Sequence, residues 1–241
     1  MIEFRPLASS SDGCCYRVGS GSNYPLLIDA GLRYADIQKA LDFKVSSLAG
    51  VLISHAHGDH CLAVPHLLKA GVDVYASSQT WQALRIESHR AATIREGDEF
   101  SIGPWRVHPF EAVHDADGTL GFFIAGPDGG KLLYLTDSAY AKFRFDGITH
   151  LAVECNFSRE ILRTNTVSGK IDLQRGKRTA VTHLSLERLI EMLKANDLSN
   201  LQETWLLHLS DENSDEALFK SEIQKVTGKP TYVAANTEVR V

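Results

Sequence analysis

Six consecutive residues, His55-Ala56-His57-Gly58-Asp59-His60, constrain this chain more than any other segment. They follow Val51-Leu52-Ile53-Ser54, a short apolar run that reads as a buried strand. Ligand-type side chains at i, i+2, i+4 and i+5 cannot share one face of a regular strand or helix. A tight turn at the strand's end must therefore gather them. Gly58 is expected to give the backbone freedom for that turn. Imidazole nitrogen together with carboxylate oxygen suits zinc, manganese or iron better than calcium or magnesium. The alternative is a solvated, histidine-rich surface loop. One histidine would favour it; four ligands at this spacing do not.

Such a site is not needed to hold the chain together. With 241 residues, 44% hydrophobic and 23% charged, the composition is ordinary for a globular protein that buries most of its apolar surface unaided. A metal is then expected to serve chemistry. The formal charge of −5, from 25 Lys+Arg against 30 Asp+Glu, argues against a protein that coats nucleic acid non-specifically. Cys14, Cys15, Cys61 and Cys155 form no C-x-x-C pair, so neither a disulfide framework nor a zinc finger is expected. The start of the chain has no basic segment leading into an apolar run, and no stretch approaches the ~20 apolar residues of a membrane span. A cytoplasmic protein is the expectation.

Along the chain, Tyr16–Val18 and Leu26–Asp29 read as strands around a turn at Gly19 to Asn23, and 33–43 as a helix. Residues 62–70 and 78–88 read as helices around a strand at 72–76. Strand-like pieces follow at 99–102, 105–113, 120–126, 131–136 and 149–154. The stretch 156–180 has weak periodicity and carries Arg159, Arg163, Lys170, Arg175, Lys177 and Arg178. A clear amphipathic helix covers 185–195. A strand at 204–209, a helix at 213–226 and a strand at 231–233 complete the order. No linker or repeat interrupts it, so one α/β domain spanning 1–241 is expected, with two sheets face to face and helices outside.

The cluster matches the H-x-H-x-D-H signature of the metallo-β-lactamase superfamily, and the chain resembles that family well beyond it. Val113-His114-Asp115, Thr136-Asp137-Ser138 and Leu207-His208-Leu209 stand in the order that the family pattern asks for, each where an apolar run stops. The resemblance implies a four-layer αββα sandwich and two divalent metal ions, zinc or manganese. His55, His57 and His114 would hold the first; Asp59, His60 and His208 the second; Asp137 would bridge both. A solvated turn is the alternative for His114, and a turn cap for Asp137. His183 competes with His208 for the last position, and His208 is preferred because it directly ends a strand. His66, His89, His108 and His150 are read as structural.

Asp59 and the full dinuclear set resemble the ribonuclease Z side of the superfamily rather than the β-lactamases. Glu154, in Val153-Glu154-Cys155-Asn156, and His183, in Thr182-His183-Leu184-Ser185, resemble that family's Glu and His pair. A carboxylate on one ring nitrogen raises the basicity of the imidazole, which can then protonate a leaving oxygen. Similarity is greatest to the YycJ/WalJ type, phage-encoded relatives included. It rests on the Ser/Gly-rich segment 7–15, Leu-Ile-Asp-Ala-Gly at 27–31, His-Asp-Ala at 114–116, Thr-Asp-Ser at 136–138, His-Leu-Ser at 183–185 and the segment 208–213. That resemblance implies a 5′ exonuclease acting on single-stranded DNA or RNA. Neither a β-CASP insertion nor a long tRNA-gripping arm is visible, which weakens a tRNA-processing role.

Two metals ~3.5–4 Å apart ionise a bridging water near neutral pH and stabilise both the attacking and the leaving oxygen. Asp59 would orient that water or take its proton, and His183, held by Glu154, would protonate the leaving group. The basic stretch 159–178 would grip a phosphate backbone, a solvated face being the alternative. The expected partner is a nucleic acid or nucleotide substrate, with no membrane, and a homodimer is admitted. The acidic charge keeps a small-substrate phosphodiesterase acting on cyclic nucleotides as the second reading. A lactonase or thioesterase is disfavoured by Glu154 and His183, and an inactive scaffold by the complete ligand set.

Overall fold

Where the sequence reads as a Ser/Gly-rich turn, the chain begins with a hairpin. Strand β1 (Glu3–Ser10) pairs antiparallel with β2 (Gly13–Gly19), with a register shift between Pro6 and Ala8. Proline cannot donate to a strand ladder, and β1 carries it at a sheet edge with an irregular register. This computed structural model describes residues 1–21 and 24–234, so Ser22 and Asn23 of the expected 19–23 turn lie outside the described residues.

The first sheet continues with β3 (Leu26–Ile28), β4 (Gly50–Leu52), β5 (Val74–Ala76) and β6 (Ala91–Thr93), in the order β1-β2-β3-β4-β5-β6. From β3 onward the pairing is parallel, which requires crossover segments. Those crossovers carry helices α1 (Tyr34–Ala40), α2 (Gly58–Cys61), α3 (Val64–Lys69) and α4 (Ser78–Leu84). Ile37, Val64, Leu67 and Trp81 from the helices join Leu27, Val51 and Val74 from the strands in one buried cluster. Strands β3 and β4 are buried at every position, as expected of parallel strands covered by helices.

A second, seven-stranded sheet contains β7 (Phe100–Ile102), β8 (Trp105–Glu111), β9 (Leu120–Ala125), β10 (Lys131–Leu135), β11 (His150–Glu154), β12 (Glu203–Leu207) and β13 (Thr231–Val233). Its order is β13-β12-β11-β10-β9-β8-β7, antiparallel through β7, β8 and β9 and parallel through β11, β12 and β13. The stretch of weak periodicity at 156–180 forms two helices, α5 (Arg159–Val167) and α6 (Leu173–Thr182). Their apolar anchors are few: Leu162 of α5 clusters with Phe157 and with Ile171, which lies between the two helices. So sparse a buried stripe explains why hydrophobic pattern alone does not reveal them. Local chemistry does mark their starts, because Ser158 accepts from Glu160 N and Asp172 from Gln174 N and Arg175 N. Helices α7 (Leu186–Ala195) and α8 (Glu216–Thr227) bury Leu189, Leu193, Phe219 and Ile223.

The described residues form two compact units. One comprises Met1–Glu111 and Ala116–Leu132; the other comprises Ala112–Asp115 and Leu133–Ala234. No helix among the described residues is long and apolar enough to cross a membrane. All four cysteines are buried and free.

Candidate metal centre

The first unit holds His55, His57, Asp59 and His60, all just past the carboxyl end of β4. His57 is the N-cap of the single-turn α2, so Asp59 and His60 belong to a helical turn rather than an irregular loop. Gly58 is not in the left-handed region, and nothing lies within 4 Å of a Cβ built on it. The expected role of Gly58 in the turn is therefore not seen. The close approach occurs at Gly31 instead. A Cβ there would overlap the Asp59 carbonyl, while Ala30 N donates to His60 O at 2.7 Å and Ala63 N to Ala30 O at 2.9 Å. The Asp29-Ala30-Gly31 segment is thus a bed on which the histidine-bearing turn lies.

Asp29 performs the positioning that the sequence reading did not assign. Its carboxylate is fully buried and accepts from Ser54 N at 2.8 Å, Ser54 Oγ at 3.0 Å and His60 Nδ1 at 2.8 Å. A carboxylate can only accept, so His60 carries its proton on Nδ1 and keeps the Nε2 lone pair for a cation. Because Ser54 Oγ gives its proton to Asp29, its lone pairs receive His55 Nδ1 at 3.0 Å. His55 then also presents Nε2, which lies 3.0 Å from His57 Nδ1. That spacing suits a proton shared between the rings or one cation held by both. Asp59 Oδ2 lies 3.5 Å from His60 Nε2. An acid ending an apolar strand before Ala-Gly was the signal that could have identified Asp29.

The second unit collects its groups from five separate segments. His114 Nδ1 lies 3.0 Å from the Thr182 carbonyl oxygen, which can only accept, so Nδ1 is a donor. Asp115 Oδ1 is 3.1 Å from His114 Nε2, and Asp115 Oδ2 accepts from Arg178 Nε at 2.8 Å. Asp137 follows β10, and His208 follows β12. Acceptor and imidazole atoms of Asp137, Glu154, His183 and His208 all lie within 4.8 Å of one another. Such a donor set, carboxylate oxygens with imidazole nitrogens, fits a divalent transition metal. Asn156 Nδ2 donates to the His208 carbonyl at 2.8 Å and sits 3.2 Å from its ring Nδ1. Asn156 is a second residue whose role the sequence left unread.

Glu154 and His183 are in direct contact, His183 Nδ1 to Glu154 Oε1 at 2.6 Å, and the same nitrogen is 3.1 Å from Asp137 Oδ1. Glu154 Oε2 accepts from Ser138 N at 3.1 Å and Leu184 N at 3.0 Å, so the carboxylate is held on both oxygens. Burial disfavours the His183 cation, but the Glu154 charge, with the Asp137 hydrogen bond, outweighs it and raises the pKa to about 10. Burial likewise pushes the Glu154 carboxyl up, and the His183 charge overcomes it and brings the group below its ordinary value.

Backbone strain marks the same residues. Asp29 (φ 57°), Asp137 (φ 44°) and His208 (φ 52°) occupy the left-handed region, which side chains with a Cβ rarely adopt. Each such conformation costs on the order of 1–3 kcal/mol and persists only where surrounding bonds over-determine it. The other histidines are engaged elsewhere: His66 stacks on Tyr34, His150 bonds Thr149, His108 lies 3.5 Å from Glu99, and His89 is exposed.

Residues 24–208 match the model of the β-lactamase superfamily domain. The exodeoxyribonuclease WalJ of Streptococcus pneumoniae (serotype 2, strain D39) is 30% identical over 232 residues, covering 90% of this chain and 85% of that one. Among solved structures, the metallo-β-lactamase fold protein YhfI from Bacillus subtilis superposes with a TM-score of 0.72, at 16% identity over 98% of each chain. Human tRNase Z, short form, superposes with a TM-score of 0.63, at 14% identity over 100% of each chain. At those identities, the two structures speak for the fold.

Proposed function

Because the chain belongs to the metallo-β-lactamase-fold hydrolases of the β-lactamase superfamily, we propose that it is a dinuclear-metal nuclease acting as a 5′ exonuclease on single-stranded DNA or RNA. The observation that carries this reading is the Glu154–His183 contact, a buried carboxylate 2.6 Å from an imidazole beside Asp137. Departure of a nucleotide alkoxide needs a proton, and an imidazole held charged beside two carboxylates can deliver it.

In this reading residues 1–241 act as one catalytic domain. By the family resemblance, His55, His57 and His114 would hold one divalent ion, Asp59, His60 and His208 would hold a second, and Asp137 would serve both, with zinc or manganese suiting these donors. When bound, they supply Lewis acidity toward a phosphodiester and lower the pKa of water at the site. Asp29 and the Thr182 carbonyl keep His60 and His114 in the ligand tautomer. Asp59 orients the attacking water and takes its proton. His183 gives its Nε2 proton to the departing oxygen, while its Nδ1–H stays bonded to the Glu154 carboxylate, which steadies the ring. The protein works in the cytoplasm, as a monomer or a homodimer.

The net charge of −5 favours one second reading, a phosphodiesterase for cyclic or other small nucleotides. The test is a parallel assay of zinc- or manganese-loaded protein on labelled single-stranded DNA, RNA and cyclic nucleotides. Mononucleotide released first from the 5′ end supports the proposal. Cleavage of cyclic nucleotides alone transfers support to the second reading, and hydrolysis of lactones alone removes both.

A further inference from the structure

We infer that the segment Tyr140–Arg144, extended by the exposed basic face of α6, binds the unpaired nucleotides flanking the scissile phosphodiester, by base stacking and phosphate contact. This rests on the nuclease reading above and names the surface that would make the substrate a polymer.

The segment leaves the site directly, since Tyr140 is three residues beyond Asp137. Its near end is fastened: Ser138 N donates to Glu154 Oε2 at 3.1 Å, Ala139 N to Val113 O at 2.8 Å, and Arg188 Nη1 to Ala139 O at 2.8 Å. Its far end is fastened where Phe145 N donates to Asn196 Oδ1 at 2.8 Å. Between those fixed points residues 140–144 have no regular secondary structure. There Tyr140 is 44% and Phe143 45% exposed, and Lys142 and Arg144 are exposed beside them.

Single exposed aromatics are common, but two within four residues, alternating with two cations and no acid, are a different matter. In a chain of net charge −5, residues 140–144 carry +2. Aromatic faces stack on any base, and interleaved cations follow the backbone; together they are the recognition chemistry of single strands. Inside a duplex both faces of a base are already stacked on its neighbours, so an internal base pair does not fit.

Helix α6 ends at the same site, because its C-cap His183 lies 3.1 Å from Asp137. Lys177, Arg178 and Val181 are exposed in its last turns. Arg178 Nε is held by Asp115, next to His114, whereas Lys177 makes no ion pair among the described residues. The basic residues at 159–178 do not act alike: Arg159, Arg175 and Arg178 are paired with Glu187, Glu212 and Asp115.

The test uses the full, metal-loaded chain, a 5′-labelled oligothymidylate and the small phosphodiester bis(p-nitrophenyl) phosphate. The Y140A/F143A variant is expected to raise the oligonucleotide KM about tenfold or more, with kcat moving less. Selectivity for oligonucleotide over the small reporter falls by a similar factor, and Y140F/F143Y, which keeps both rings, restores it. The K142A/R144A variant is expected to flatten the dependence of log KM on log salt by about 1.4, at roughly 0.7 per phosphate contact. An unmoved oligonucleotide KM in both double alanine variants overturns the inference while the nuclease reading stands. So does an equal loss on oligonucleotide and reporter, which would mean the loop acts only by placing Asp137. So does a changed oligomeric state in light scattering with KM unmoved, which would make the patch a contact between copies. A wild-type protein that cleaves the reporter and no oligonucleotide overturns the nuclease reading, and the inference with it.

Discussion

The two units organise their reactive groups in opposite ways. In the first, His55, His57, Asp59 and His60 are near neighbours in sequence, and the protein's task is to hold one short helical turn against Asp29-Ala30-Gly31. In the second, His114, Asp137, Glu154, His183 and His208 come from five segments spread over nearly a hundred residues, each delivered by the end of a strand or helix. A contiguous cluster depends on local backbone geometry; a dispersed one depends on the register and packing of many elements. Each unit has a short acid–imidazole contact with a different consequence: Asp29 with His60, at 2.8 Å, fixes a tautomer, and Glu154 with His183, at 2.6 Å, raises the basicity of a ring.

The largest expected effect separates ligation from proton delivery. His183→Ala should slow turnover by roughly 10²–10⁴-fold, the ordinary contribution of a general acid, with metal content intact. His57→Ala should lose more, because metal is lost with activity. Elemental analysis beside kinetics checks both; a metal-free His183→Ala protein would make His183 a ligand and erase the distinction. Gly31→Ala tests the bed beneath the first cluster. The new Cβ would overlap the Asp59 carbonyl, so a stability loss of about 1–3 kcal/mol or more is expected in urea unfolding, with weakened metal binding. Gly58→Ala, which meets nothing, should be nearly silent in the same measurement.

Asp29→Asn is expected to be milder. An amide can still accept from His60 but meets the Ser54 donors less well, so metal affinity should fall about 10–100-fold in competition with a chelator. The smallest effect is on the stability of the chelated protein as pH changes, and it belongs to the second unit alone. His183 is raised from 6.5 to about 10, so its contribution is complete below pH 6.5 and is lost as pH rises through about 10. Glu154 is lowered from 4.5, so its contribution is complete above 4.5 and is lost as pH falls through its depressed value. Thermal melts should therefore show this contribution whole between pH 4.5 and 6.5, and Glu154→Gln should flatten the alkaline limb. An unchanged alkaline limb in that variant would break the assignment.

Much of the architecture was legible because strands buried on both faces read as apolar runs. Those ending at Leu52, Leu135, Glu154 and Leu207 each point to a reactive residue within a few positions. The amphipathic α7 was readable from Leu186, Leu189 and Leu193 for the same kind of reason. Strand β1 escaped because its serines and proline resemble a turn until β2 pairs with it, and α5 and α6 escaped because Leu162 is the one large apolar side chain that they bury. The role given to Gly58 followed a sound rule at the wrong glycine: the crowding is at Gly31, twenty-seven residues earlier in the chain.

By itself, the sequence determined the family, the types of ligand and the order in which they occur, because those are properties of residue identity and spacing. It could not determine which nitrogen of each imidazole carries a proton, since that depends on the acceptor each ring meets: Asp29 for His60, the Thr182 carbonyl for His114, Glu154 for His183. Nor could it reveal that Asp29, Asp137 and His208 are in left-handed conformations, because groups distant in sequence bond Asp29 and His208 there: Leu52 and Ser54 for Asp29, Asn156 for His208. Residue type and spacing are local quantities; proton placement and strain are set by neighbours that only folding supplies.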